Sequence, residues 1–377
     1  MLRMIRLFER SCLGDKTDNR GSLFQSTPLP TMQLKVFRSL WGLEYSQEHP
    51  AANSKLSRRE YYEHLFSDLR ALGYDGIEAS ISDVWILVNG DYSAASANAE
   101  IDTVADAFLA LLSKNNLQYI CGVYTSWDDY IGPWQKRTVA EHTAQYKSQL
   151  AIARALKPVR INVHSGSDDF TLEEAVEFFA SAQDLEKDAG VERLVSHETH
   201  RGRTLYNPWT TQILLAKFPN LHITLDISHW FVVVERLFSL EAYPDLFKVV
   251  LPRVRHVHAR MGTSQHAQIT FATNASATTN AATASEEEQE AQKVFEEIWR
   301  AWWESLRTLG STFNDKMASM TPEYGPPPYQ ISSGDVARDG TELWAMANWQ
   351  KGKLRDLFAQ WVTGIGRTSG KDTLLCE

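Results

Sequence analysis

The stretch LHITLDISH, residues 221–229, decides how the rest of the chain is read. It is a short β-rich run that stops in polar residues, Asp226 and His229. The same grammar recurs on either side, in RLVSHET (193–199) before it and VRHVHAR (254–260) after it. Further out lie LKVFRSLWGLE (34–44), GIEAS (76–80), LQYICGVYTS (117–126), VRINVHSG (159–166) and SMTPEYG (319–325). Amphipathic helical patterns separate these runs. They include RREYYEHLFSDLRALG, which ends at Gly73 as a helix C-terminus should, and also DTVADAFLALLSKNN, TLEEAVEFFASAQDLEKDAG and VFEEIWRAWWESLRTLG. Parallel strands need crossover helices, so eight strands alternating with helices predict a (β/α)8 TIM barrel. A doubly wound sheet is the competing drawing. No GxGxxG follows the first strand, and the strand count favours the barrel.

The barrel is expected over residues 32–377, as one domain. Residues 1–31 read as a disordered extension. Arg3, Arg6 and Arg10 among Met4, Ile5, Leu7 and Phe8 hint at a mitochondrial transit peptide, but Glu9, Asp15 and Asp18 oppose that. Residues 267–290, rich in Ala, Thr, Asn and Ser, have no strand or helix period and read as a mobile insertion after strand seven. The cluster Glu286–Glu288 then opens a helix, where acidic charge suits the positive end of the dipole.

Composition removes several function classes. A net charge of −9 disfavours gripping phosphate backbones, so no nucleic acid is expected as partner. No run approaches the roughly 20 apolar residues that span a bilayer, so no membrane is expected either. Cys12, Cys121 and Cys376 are too few and too scattered for a disulfide scaffold or a thiolate zinc site. A reducing, cytoplasmic compartment is the simplest expectation.

Barrel chemistry gathers at the C-terminal ends of strands. There the chain places His164 in NVHSGSD, His197, Glu198 and His200 in SHETHRGR, Asp226 and His229 in LDISH, His256, His258 and Arg260 in RHVHAR, and Glu323 in TPEYGPPP. Any one histidine at a strand end is most simply a hydrogen-bonded structural group. Six of the eleven histidines at four consecutive strand ends make that reading weak for the set. Residues two apart share a face, so Glu198 points with His200, and His256 and His258 with Arg260. Carboxylates from strands five, six and eight and an imidazole from strand seven would converge on a hard or borderline cation: Mn²⁺, Mg²⁺ or Co²⁺, with Zn²⁺ open.

Glu at strand five, Asp-x-x-His at strand six, His-x-His at strand seven and Glu at strand eight resemble the xylose-isomerase-like TIM barrel superfamily, from about Leu34 to Tyr329. It includes ketose 3-epimerases, hydroxypyruvate isomerases, dehydratases and apurinic endonucleases. The resemblance implies one divalent metal ion held by Glu198, Asp226, His258 and Glu323, with His258 rather than His256 as ligand. It implies Glu198 and Glu323 as catalytic acid and base, and His229 as a contact to substrate hydroxyls. The implied activity is isomerisation or epimerisation of a sugar or related polyhydroxy ketone through an enediolate. A dehydratase with the same metal chemistry is the alternative, and a zinc phosphodiesterase is more remote.

Further expected substrate contacts are His200, Arg260, His164, Trp41 and Arg201. Arg203 is read with Arg201 as a candidate carboxylate or phosphate clamp, and Trp127, Trp209 and Trp230 as candidate stacking surfaces. The Trp299, Trp302 and Trp303 helix is expected on the surface, available to a partner in a homodimer. Two departures stand out. Tyr124 occupies the strand-three position where endonucleases carry a histidine, and the arginine that ketose 3-epimerases carry shortly after the strand-seven histidine is not evident, since MGTSQH follows Arg260.

Overall fold

Eight short strands carry the alternation read from the sequence: β1 (Gln33–Ser39), β2 (Gly76–Ser80), β3 (Gln118–Tyr124), β4 (Arg160–His164), β5 (Val195–Glu198), β6 (Ile223–Leu225), β7 (Val254–His258) and β8 (Met317–Thr321). Each pairs in parallel with the next, and β8 closes on β1, through Gln33 opposite Met317 to Val36 opposite Met320. The chain is thus a (β/α)8 barrel, seen here in a computed structural model that describes residues 32–44, 56–93, 99–126, 135–269, 286–309, 317–330 and 341–369. The 1–31 extension, Trp127 and residues 270–285 of the expected insertion lie outside the described residues. No described helix is long and apolar enough to cross a membrane.

Local chemistry fixes where the helices start. Reciprocal capping boxes open α1 (Arg58–Ala71) through Ser57 and Glu60, and α2 (Ile81–Val88) through Ser80 and Asp83. Between α3 (Ile101–Asn115) and β4, α4 (Val139–Ala155) opens on Thr138 and Glu141. Thr171 and Glu174 open α5 (Leu172–Ala189). In each, the Ser or Thr side chain and the third-residue carboxylate satisfy amides that have no helical partner. α3 and α5 stop at residues in the left-handed conformation, Asn116 and Gly190. The remaining helices are α6 (Pro208–Lys217), α7 (Ile227–Val233), α8 (Pro244–Val250), α9 (Glu286–Leu309) and α10 (Thr341–Ser369).

Several expectations need correction. β6 has only three residues, so Asp226 is not a strand residue. It is the N-cap of α7, accepting from the Ser228 amide at 3.0 Å, and His229 sits in the first helical turn. β8 ends at Thr321, which leaves Glu323 on the loop beyond it. The segment 267–269 is no mobile insertion: Ala267, Gln268 and Ile269 are buried, and Gln268 exchanges two hydrogen bonds with the Gly325 backbone. Trp299, Trp302 and Trp303 are also buried, inside their own chain. The Trp302 indole donates to the Val254 carbonyl of β7, and Trp303 packs edge-on against Phe358 of α10. The apolar stripe of α9 faces the barrel and offers no surface to a partner.

Gly76 opens β2 against a crowded stretch of the barrel wall. A Cβ there would lie 2.3 Å from the Gln118 carbonyl and 2.6 Å from the Phe37 ring. Backbone cannot yield as a flexible side chain can, so Gly76→Ala is expected to destabilise the barrel by about 1–3 kcal/mol, read from denaturant midpoints.

Candidate active site at the barrel mouth

Strand alternation sends one set of side chains inward, and at the C-terminal mouth that set is charged. Ligand atoms of Glu198, Asp226, His258 and Glu323 all lie within 4.8 Å of one another. His258 is at the centre. Its Nδ1 stands 3.3 Å from Glu198 Oε1 and 3.2 Å from Glu323 Oε2. Its Nε2 faces Glu78 Oε1 at 2.9 Å. Glu198 turns its other oxygen to Asn162 Nδ2 and His164 Nε2, each at 2.7 Å. Arg260 donates to Asp226 Oδ2 at 2.6 Å and lies 3.4 Å from Glu323 Oε2.

Glu198, Asp226, His258 and Arg260 are almost wholly buried, so their protonation is set largely by one another. Burial opposes charge on His258, yet Glu323, Glu78 and Glu198 together hold its pKa well above the ordinary 6.5. Burial likewise opposes charge on Glu198, but His164 and His258 keep it well below the carboxylate range. Asp226 goes the other way. Desolvation lifts it to about 6 against the pull of Arg260. His200 and His229, with ring centroids 3.9 Å apart, are held well below 6.5 by burial, to which His164 adds at His200, and His200 and Arg260 at His229. His229 is therefore neutral, and its Nε2 accepts from Arg260 at 2.7 Å.

A cavity of about 550 Å³ opens over this floor. Its lining includes four of the expected contacts, Trp41, His164, His200 and Arg260, together with Glu323. Glu198, Asp226 and His258 lie beneath it, with 1% exposure or less. His229 is not in the lining; it sits behind His200 and Arg260. Arg201 reaches the rim by stacking on Tyr329, 4.7 Å from the ring centroid.

Three expected contacts fall elsewhere. Arg203 is buried and committed to the Ser126 hydroxyl at 2.6 Å, so it is no free clamp. Trp230 is fully buried, with its indole on the Leu205 carbonyl. Trp209 is exposed on α6, beside Phe238 and Arg236 and away from the mouth. Both tryptophans follow strand ends in sequence, but each belongs to a helix that turns it outward or under the loops.

Sequence reasoning passed over Glu78, Asn162 and Tyr329. Glu78 had a legible signal: a carboxylate in GIEAS, a strand buried on both faces, must have a partner inside. Tyr329 had none, because it reaches the cavity from a loop. There its ring stacks on Arg260 at 4.8 Å, meets Trp41 edge-on, and its hydroxyl pairs with His200 Nε2 at 3.2 Å.

The quartet suits a divalent cation. Three carboxylates and an imidazole form a hard to borderline donor set. Two of its buried atoms, Glu198 Oε1 and His258 Nδ1, face each other yet have no hydrogen bond of acceptable geometry among the described residues. A second buried cluster, His164, Glu198 and His200, shares Glu198 with the first.

A closed parallel barrel whose mouth gathers carboxylates and imidazoles defines an α/β barrel with candidate metal ligands at its C-terminal end. The chain belongs to the xylose isomerase-like TIM barrel family, whose model matches residues 66–274, more than half of its length. Among solved structures, L-ribulose 3-epimerase superposes with a TM-score of 0.51 at 14% identity, over 89% of this chain and 98% of that one. D-psicose 3-epimerase from Clostridium cellulolyticum H10, solved with D-tagatose, gives 0.49 at 14% identity, over 86% and 99%. Such identities speak to the fold. No curated protein sequence matches the chain.

Arg260 is the cation that Asp226 and Glu323 depend on. Arg260→Met should destabilise the chelator-treated protein by about 3–5 kcal/mol, the usual cost of stranding a buried charge. The deficit should grow between pH 5 and 8. Asp226, already raised, rises further without its arginine, and a raised carboxyl is stable when protonated and loses stability as pH climbs through its folded pKa. Urea titrations across that range measure it; a deficit independent of pH would count against this account of Asp226.

Proposed function

We propose that this chain is a divalent-metal-dependent isomerase or epimerase acting on a sugar or related polyhydroxy ketone. One observation carries the reading: two glutamates, Glu198 and Glu323, converge on the same His258 nitrogen at 3.3 and 3.2 Å, beneath a cavity of sugar size. Glu198, Asp226, His258 and Glu323 would hold the ion, with Mn²⁺, Mg²⁺ or Co²⁺ favoured by their oxygen-rich set. When bound, the ion would supply Lewis-acid stabilisation of charge developing on substrate oxygens.

The protein's own groups supply the rest. Glu323 is the quartet member that lines the cavity, so its carboxylate would take the proton from the carbon beside a substrate carbonyl. Glu198, fixed by Asn162 and His164, would be the second acid/base group; ionised at rest, it would first take a proton from a substrate hydroxyl before returning one to that carbon. His164 and His200 present imidazoles, and Tyr329 a phenol, to substrate hydroxyls. Trp41 and Tyr329 wall the cavity with apolar faces that suit sugar C–H groups and exclude water. The basic side chains of the lining are occupied: Arg260 is paired with Asp226 and Glu323, which favours a neutral polyol over a phosphorylated one.

Solvent-deuterium exchange into a panel of ketoses tests the proposal. The wild type should exchange the carbon-bound proton, and Glu198→Gln and Glu323→Gln should each abolish exchange; exchange retained in both would refute the acid/base assignment. Elemental mass spectrometry should find about one divalent ion per wild-type chain. Two or three zinc ions would instead favour a phosphodiesterase built on the second cluster. Metal affinity should rise with pH through neutrality. His258 is protonated below its raised pKa, and that proton must leave before Nδ1 can bind. Calorimetry in buffers of different ionisation enthalpy counts the proton released.

A further inference from the structure

We propose that Glu78 is a positioning residue that dictates which nitrogen His258 turns toward the quartet. The inference rests on the reading that the quartet holds a divalent ion. Glu78 projects from β2 across the barrel interior to β7. Its Oε1 lies 2.9 Å from His258 Nε2, and its Oε2 lies 3.2 Å from His256 Nε2. An ionised carboxylate only accepts, so both imidazoles must present an N–H at Nε2. For the neutral His258 that would bind an ion, this leaves Nδ1 as the lone-pair nitrogen, and Nδ1 is the atom facing Glu198 and Glu323. The opposite tautomer would set a lone pair of Nε2 against a carboxylate oxygen.

His256 braces the arrangement. Its Nδ1 pairs with the Ser319 hydroxyl at 2.9 Å, Thr321 Oγ1 lies 3.2 Å from its Nε2, and its ring stands edge-on to His258 at 5.3 Å. All of these residues are more than nine-tenths buried, and Glu78 touches the cavity only at its edge. A carboxylate held on the far nitrogen of a ligating histidine fixes ring orientation and strengthens the ligand. Two histidines share one carboxylate, so loss of Glu78 releases both at once.

The test is Co²⁺ binding to the full-length chain, followed by calorimetry and by the visible absorption of the bound ion. Glu78→Leu should weaken Co²⁺ by about 10- to 100-fold and alter its spectrum. Glu78→Gln, whose amide oxygen still accepts from His258 Nε2–H, should recover most of the affinity and the wild-type spectrum. Equal affinity and spectrum in wild type and Glu78→Leu would overturn the inference and leave the metal site standing. Failure of the wild type to bind Co²⁺ would overturn both. Nitrogen NMR of wild type loaded with Zn²⁺ needs no variant: His258 should carry its proton on Nε2 and the metal on Nδ1, and the reverse would overturn the proposal even if Glu78→Leu fails to fold.

Discussion

Charge cannot remain unpaired in the closed barrel mouth, and this constraint organises the site. Isolated buried charges cost many kcal/mol, so carboxylates and cations in a sealed space must be interleaved. His258 sits among Glu78, Glu198 and Glu323, while Arg260 stands between Asp226 and Glu323. Each carboxylate of the quartet thereby has a cationic neighbour supplied by the chain. An ion entering this floor meets ligands already oriented, but it must replace a proton on His258 and share Asp226 with Arg260. The site is preorganised and held in check by the same contacts.

The fold delivers that interleaving through strand geometry. Parallel closure puts β2 and β7 within reach across the interior, which is how Glu78 meets two histidines some 180 residues away in sequence. The loops after β8 and β5 then complete the mouth. Tyr329 draws Arg201, Arg260, Trp41 and His200 around one ring, turning separate loops into a cavity wall.

The match to the xylose isomerase-like family fixes the family, and the convergence of the quartet is a separate observation. The family assignment rests on residues 66–274 and so does not cover Glu323, which the strand-end reading named and the fold brings beside His258. The L-ribulose 3-epimerase structure shares the barrel at low identity, so the chemistry proposed for this chain stands on its own side chains. Arg260 lies two residues beyond His258, on the same face, and Asp226 and Glu323 already claim it.

By itself the sequence determined the barrel, because parallel alternation of strand and helix is written in short-range periodicity and in capping residues such as Ser57, Thr138 and Thr171. It also pointed to Glu198, Asp226, His258 and Glu323 as candidate ligands, from polar residues near successive strand ends and from the family resemblance, and the fold brings the four together. What tertiary structure alone decided was partnership. That Arg260 pairs with Asp226, that Arg203 is spent on Ser126, and that Glu78 governs two histidines depend on side chains meeting across the interior. The Trp-rich face of α9 likewise turned inward, because an amphipathic stripe reports that a face is covered but not by what. Periodicity is local and survives in a string of letters. Charge pairing in a sealed cavity is a property of distance, and distance exists only after the chain has folded.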